Sequence, residues 1–176
     1  MKPPFWLLFT LLVMTVIGTA NAQVISYAAQ GSFGDGGTFT CTFDYAVVSN
    51  VYSNINCSST MGSVRSGATY HYVCGSPDIP TCGGGFSPHP TSVAFQTTSG
   101  ADQTGLPTLF MSFSQPLGAV LSSSWFYWYN AVGFSFPLLT GDHLSDEGTC
   151  GNASCTVDPN TRFTTSGTAT VTGIQL

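Results

Sequence analysis

Two alternating runs of this chain can be laid against each other in one register only, because a cysteine sits in each. The stretch Gly31 to Ser58 reads GSFGDGGTFTCTFDYAVVSNVYSNINCS. Side chains alternate across a strand, so Phe39, Cys41, Phe43 and Tyr45 fall on one face and Thr38, Thr40, Thr42 and Asp44 on the other. Asp35-Gly36-Gly37 ahead of them is turn chemistry. In the second run Val51, Ile55 and Cys57 share a face, and Tyr52, Asn54, Asn56 and Ser58 take the other. Folding the chain about Ser49 sets position 41 against 57, 43 against 55 and 45 against 53. Opposed residues of an antiparallel pair lie about 4.5 or 5.5 Å apart at Cα, a gap that a disulfide spans. A slip of one residue would turn the sulfurs to opposite faces. A Cys41–Cys57 bridge is therefore expected, and it would hold the register.

Disulfides need an oxidising compartment, and the chain opens with a passport to one. Lys2, the apolar run Phe5 to Ile17 and the small-residue site Ala20-Asn21-Ala22 make residues 1–22 a signal peptide. That run is too short to span a bilayer, and no later stretch is long and apolar enough to do so. Residues 23–176 are then expected to form one secreted domain with a real core. Six cysteines in an exported chain point to disulfides rather than metal. Locality favours Cys41–Cys57, Cys74–Cys82 and Cys150–Cys155. A zinc site would want paired Cys-x-x-Cys or nearby histidines, and neither occurs. Beyond the leader only Arg65 and Arg162 are basic, against eight acidic residues. Such a balance repels nucleic acid and anionic lipid, and makes both unexpected as partners.

The rest of the chain reads as short strands between Gly, Pro and Asn turns. Val24 to Gln30 enters the hairpin, and Thr69 to Cys74 is a strand with Tyr70 and Tyr72 on one face. Gly75 to Pro90 is too rich in Pro and Gly for regular structure. Thr91 to Thr97 should point Val93 and Phe95 inward, and Leu109, Met111 and Phe113 alternate in the next strand. Trp125 to Phe136 is the longest strand candidate, with a core face of Phe126, Trp128, Val132, Phe134 and Phe136. Thr140 to Pro159 reads as loop. Arg162 to Leu176 reads as one final strand with a phase flip, which suggests a β-bulge at Gly173. Outside the leader no apolar residues recur at helical spacing with capping signals. The expected fold is all-β: a single antiparallel β-sandwich or jelly-roll-like domain, stapled by disulfides.

Few residues suggest chemistry. The odd face of the long strand places Trp125, Tyr127 and Tyr129 in a row, about 6.6 Å apart. Exposed, they would form a platform for sugar rings or a partner protein. Covered by a second sheet or by the loop 75–90, they would be core, and large aromatics are usually well buried. Asp142, Asp146 and Glu147 could offer oxygens to Ca²⁺, but their spacing matches no EF-hand loop, and a solvated loop is the plainer expectation. His71, His89 and His143 are the only histidines, and no Gly-x-Ser-x-Gly elbow accompanies them. A paired-carboxylate glycosidase is disfavoured by the single Glu. Asn56-Cys57-Ser58 and Asn152-Ala153-Ser154 fit the N-glycosylation pattern, with chance as the default reading. No cofactor is implied.

The run Gly31 to Thr38, the strand Phe39 to Tyr45 and the run Asn50 to Asn56 resemble the β domain of bacterial exported proteins sorted by exosortase, the PEP-CTERM proteins. Leu109 to Leu117 and Thr165-Ser166-Gly167-Thr168 extend the likeness, although Asp44 precedes Tyr45 in the reverse of the usual order. The resemblance implies a secreted or surface β domain of unassigned activity and carries over no catalytic residue. The family's Pro-Glu-Pro tail does not follow Leu176, so free secretion is the simpler expectation. The expected function is thus a secreted, non-catalytic structural or adhesive domain, meeting an extracellular polysaccharide or a surface protein. A carbohydrate-binding module using the aromatic row is the alternative, and a secreted hydrolase a distant third.

Overall fold

The computed structural model describes residues 23–76, 88–100, 102–118, 135–138, 145–149 and 161–174. Residues 1–22, expected from sequence to be a signal peptide, lie outside them, as do Trp125, Tyr127, Tyr129, Cys82 and residues 150–155. The described residues form two antiparallel sheets. The first contains β1 (Val24–Ser32), β2 (Thr38–Ala46), β3 (Val51–Ser59), β4 (Thr69–Tyr70), β8 (Ser135–Pro137) and β11 (Thr170–Ile174), in the order β4-β3-β2-β1-β11-β8. The second contains β5 (Tyr72–Val73), β6 (Ser92–Gln96), β7 (Pro107–Ser112), β9 (Asp146–Thr149) and β10 (Arg162–Phe163), in the order β10-β9-β7-β6-β5. No helix among the described residues is long and apolar enough to cross a membrane.

The two sheets meet through aromatic rings, as the alternation in β2 requires. Phe43 stands at the centre. Its ring lies 5.7 Å from Tyr27 and 5.7 Å from Tyr52 on its own sheet, and 5.5 Å from Phe95 and 6.3 Å from Phe113 across the interface. Val93, Phe95, Leu109 and Met111 face the same core, as their alternation predicts. Offset and tilted pairs at these separations add to the burial itself. The Cys41–Cys57 disulfide is present between directly opposed residues of β2 and β3. Cys74 is also disulfide-bonded.

Beyond Cys57 the hairpin departs from simple alternation. Thr42 pairs with Asn56, but Asp44 then pairs with Ser53 and Tyr45 with Tyr52, one residue earlier than folding about Ser49 predicts. The extra residue lies on β3, where Asn54 takes φ 51°. This β-bulge reverses the inward phase: Tyr52 is buried against Tyr45 and Phe43, and Val51 faces solvent. Asn tolerates the left-handed conformation better than other non-glycine residues, which suits it to that position.

Three further expectations are corrected. The strand Thr69 to Cys74 is split at His71, with Tyr70 on β3 and Tyr72–Val73 on β6, so the chain changes sheets there. Tyr70 and Val73 both reach the core, while Tyr72 packs outside it with Cys74, Ala94 and Phe110. The span 140–159 is not all loop, because β9 pairs with both β7 and β10. The final strand is two strands: Arg162–Phe163 belongs to the second sheet and Thr170–Ile174 to the first. Residues 170–174 pair with β1 without interruption, so Gly173 marks no bulge. It sits directly opposite Tyr27.

Candidate functional site

Two regions of the described part of the chain stand out, one built from charged side chains and one from uncharged polar ones. The first is a buried cluster at one end of the sandwich. Arg162, on β10, donates from Nη1 to Asp35 Oδ2 at 3.1 Å, and from Nη2 to Glu147 Oε2 at 2.8 Å and to the Thr60 carbonyl at 2.9 Å. Its guanidinium lies 4.2 Å from the centre of the Phe33 ring, a cation–π contact. Arg65 brings Nε to 3.9 Å from Glu147 Oε1 and donates from Nη2 to the Thr149 hydroxyl. Arg162, Asp35 and Glu147 side chains are each at most 3% exposed. Two cations and two anions thus meet in the interior, where charges must be paired and hydrogen-bonded to be tolerated.

The backbone makes room for this cluster. Asp35 occupies the turn between β1 and β2, where its Oδ1 accepts the Gly37 N–H at 3.0 Å. A Cβ on Gly37 would collide with Arg162 Nη1, and one on Gly62 with the Asp35 carboxylate. Glycine at both positions lets the backbone approach the ions closely without displacing them. Burial works to raise the Asp35 pKa, but hydrogen bonds from the Gly37 N–H, Arg162 and the Val64 N–H outweigh it and hold the carboxyl below its usual range. Tyr70 lies beside Glu147. Its burial first, and then the carboxylate charge, push its hydroxyl well above the ordinary phenol value.

The second region is the outward face of the six-stranded sheet. Two rows cross β3, β2, β1 and β11 in register, and a third runs beside them at the ends of these strands. Thr40 pairs with Ser58 and Gln30, and Gln30 with Thr170. Thr42 pairs with Asn56 and Ala28, and Ala28 with Thr172. In the third row Thr38 pairs with Ser32, whose N–H is donated to Thr168 Oγ1 at 3.3 Å. Thr38, Thr40, Thr42, Gln30, Asn56, Ser58 and Thr168 are exposed. Hydroxyls meet across strands, Thr40 with Ser58 at 3.3 Å and Thr38 with Thr60 at 3.1 Å. None of these rows carries a charged residue. Asp44 lies at their border, where Ser26 Oγ and Asn54 Nδ2 donate to its carboxylate.

The residues singled out from sequence fall unevenly on this map. Trp125, Tyr127, Tyr129 and Asp142 lie outside the described residues. Asp146 and Glu147 are consecutive strand residues and so point to opposite faces of β9, with Glu147 held by arginine rather than in a solvated loop. Among the described residues no three His, Cys, Asp or Glu are grouped to hold a metal. His71 and His89 are exposed, with Nδ1 on the Ile55 carbonyl and the Thr91 hydroxyl respectively. Sequence reading passed over the Arg162 cluster, although a signal was there: an arginine opening a strand in a chain with three basic residues is a candidate for a buried pair. Compared with known proteins, the chain matches no family model, no curated protein and no solved structure.

Proposed function

We propose that this chain is an exported, non-catalytic β domain with a structural or adhesive role outside the cell. The Cys41–Cys57 cystine carries the reading, since a bridge across opposed strand residues is formed and kept in oxidising compartments. The leader-like residues 1–22 and the resemblance to exosortase-sorted β domains point the same way. So does the use made of charge: four charged groups lock the sandwich end, and the rows on the outward face of the six-stranded sheet carry uncharged side chains, mostly short hydroxyls and amides.

Expression of the whole chain in a bacterial host tests this. The protein should be recovered outside the cytoplasm, begin at Gln23 and show no alkylatable thiol by mass spectrometry. Retention in the cytoplasm with reduced cysteines would overturn the proposal, as would tight association with the membrane fraction.

A further inference from the structure

We infer that the outward face of the six-stranded sheet binds an uncharged, extended polysaccharide. The inference builds on the adhesive reading above and names its ligand class. Two strands carry the repeat Thr-x-Thr-x-Thr, with Thr38, Thr40 and Thr42 on β2 and Thr168, Thr170 and Thr172 running into β11. Both sets face outward, because Phe39, Cys41 and Phe43 alternate with the first and Ala169 and Val171 with the second, and all five are buried. β1 lies between them and holds them in register through Gln30 and Ala28.

The chemistry of the face selects its partner. Hydroxyls and amides both donate and accept, so they match the hydroxyls of a sugar polymer. No side chain in the three rows is ionised, and the chain carries a net charge of −5, so an acidic polymer would meet repulsion with no arginine to offset it. Arg65 and Arg162 are committed to the buried cluster. The rows also lack the large apolar side chains that anchor protein partners. Threonine is stiff at χ1, so its hydroxyl is held in place at small entropic cost. Spacings of about 4.8 Å between strands and about 6.6 Å along them repeat the same donors, which suits a repeating ligand gripped by many weak contacts.

The test is a depletion isotherm of the full secreted chain on insoluble cellulose, chitin and neutral β-glucan particles. Saturable binding to at least one is expected. Thr40→Val with Thr170→Val keeps shape and strand propensity while removing two hydroxyls, and should bind about tenfold more weakly. Thr40→Lys with Thr170→Lys should abolish retention, with circular dichroism and the melting midpoint of both variants unchanged. No saturable depletion by any of the three would overturn the inference. So would variants that bind as tightly as the parent, in particular if Trp125→Ala alone abolished binding. In either case the export and thiol measurements above would still stand or fall separately.

Discussion

The centre of the sandwich and its ionic end are both buried, but they are built on opposite principles. Around Phe43 the contacts are ring on ring between residues that alternate along their strands, so each neighbour is a member of a periodic set. Around Arg162 the partners come from the β1–β2 turn, the carbonyl of Thr60 after β3, the β9 strand and Phe33, with no shared period. Apolar packing is non-directional and degrades gradually when a ring shrinks. A buried ion cluster is directional, and removing one member leaves its partners charged and unmet.

The sharpest way to break the comparison is therefore Arg162→Ala. It leaves Asp35 and Glu147 buried without their main counter-ion and should cost about 3–5 kcal/mol in urea unfolding. Phe43→Leu removes a ring but keeps an apolar filler, and should cost about 1–2 kcal/mol by the same measurement. A reversed order would show that the ions are ornamental.

The cystine comes next. Cys41→Ala with Cys57→Ala frees a loop of 16 residues in the unfolded chain and should cost about 3 kcal/mol. Retention of the full melting midpoint would mean that register is held by the aromatic centre alone.

pH separates the two regions without mutation. Because the Asp35 pKa is depressed in the folded state, its contribution to stability is present above the ordinary carboxylate value of about 4 and is lost as pH falls below it. Asp35→Asn should flatten the acid limb of the melting curve. At the centre the signs reverse. Burial raises the hydroxyls of Tyr27 and Tyr45 to about 12, so their share of stability holds below about pH 10 and fades as pH climbs toward 12. Ultraviolet titration of the folded protein should show these phenols ionising late. The smallest effect expected is Asn54→Ala, about 1 kcal/mol from the left-handed backbone at the bulge, with Asn54→Gly close to neutral. A larger loss would mean that the Asn54–Asp44 hydrogen bond matters more than the bend.

How much was legible follows from period. Phe39, Cys41, Phe43 and Tyr45 declared their face because a strand repeats every two residues, and so did Val93, Phe95, Leu109 and Met111. Tyr52 did not. One inserted residue flips every side chain beyond it, and Asn54 gives little local warning. Segment 140–159 read as loop because four residues of β9 are too few to display alternation against their Gly and Cys surroundings. The arginines were legible only as scarcity. Arg162 finds its carboxylates 127 and 15 residues away, and Arg65 the Thr149 hydroxyl 84 residues away.

By itself the sequence determined what is local. It set the sheet class, the inward face of the leading strands, the turn at Asp35 and the one pairing of cysteines that β2 and β3 permit, since each depends on neighbours within a few residues. It took the tertiary structure to decide where the chain changes sheets at His71, which strands meet at β9 and β10, and that Arg65, Arg162, Asp35 and Glu147 gather at one end of the sandwich. Those outcomes depend on which distant segments share the interior, and burial makes an unpaired charge too costly for them to be arranged any other way.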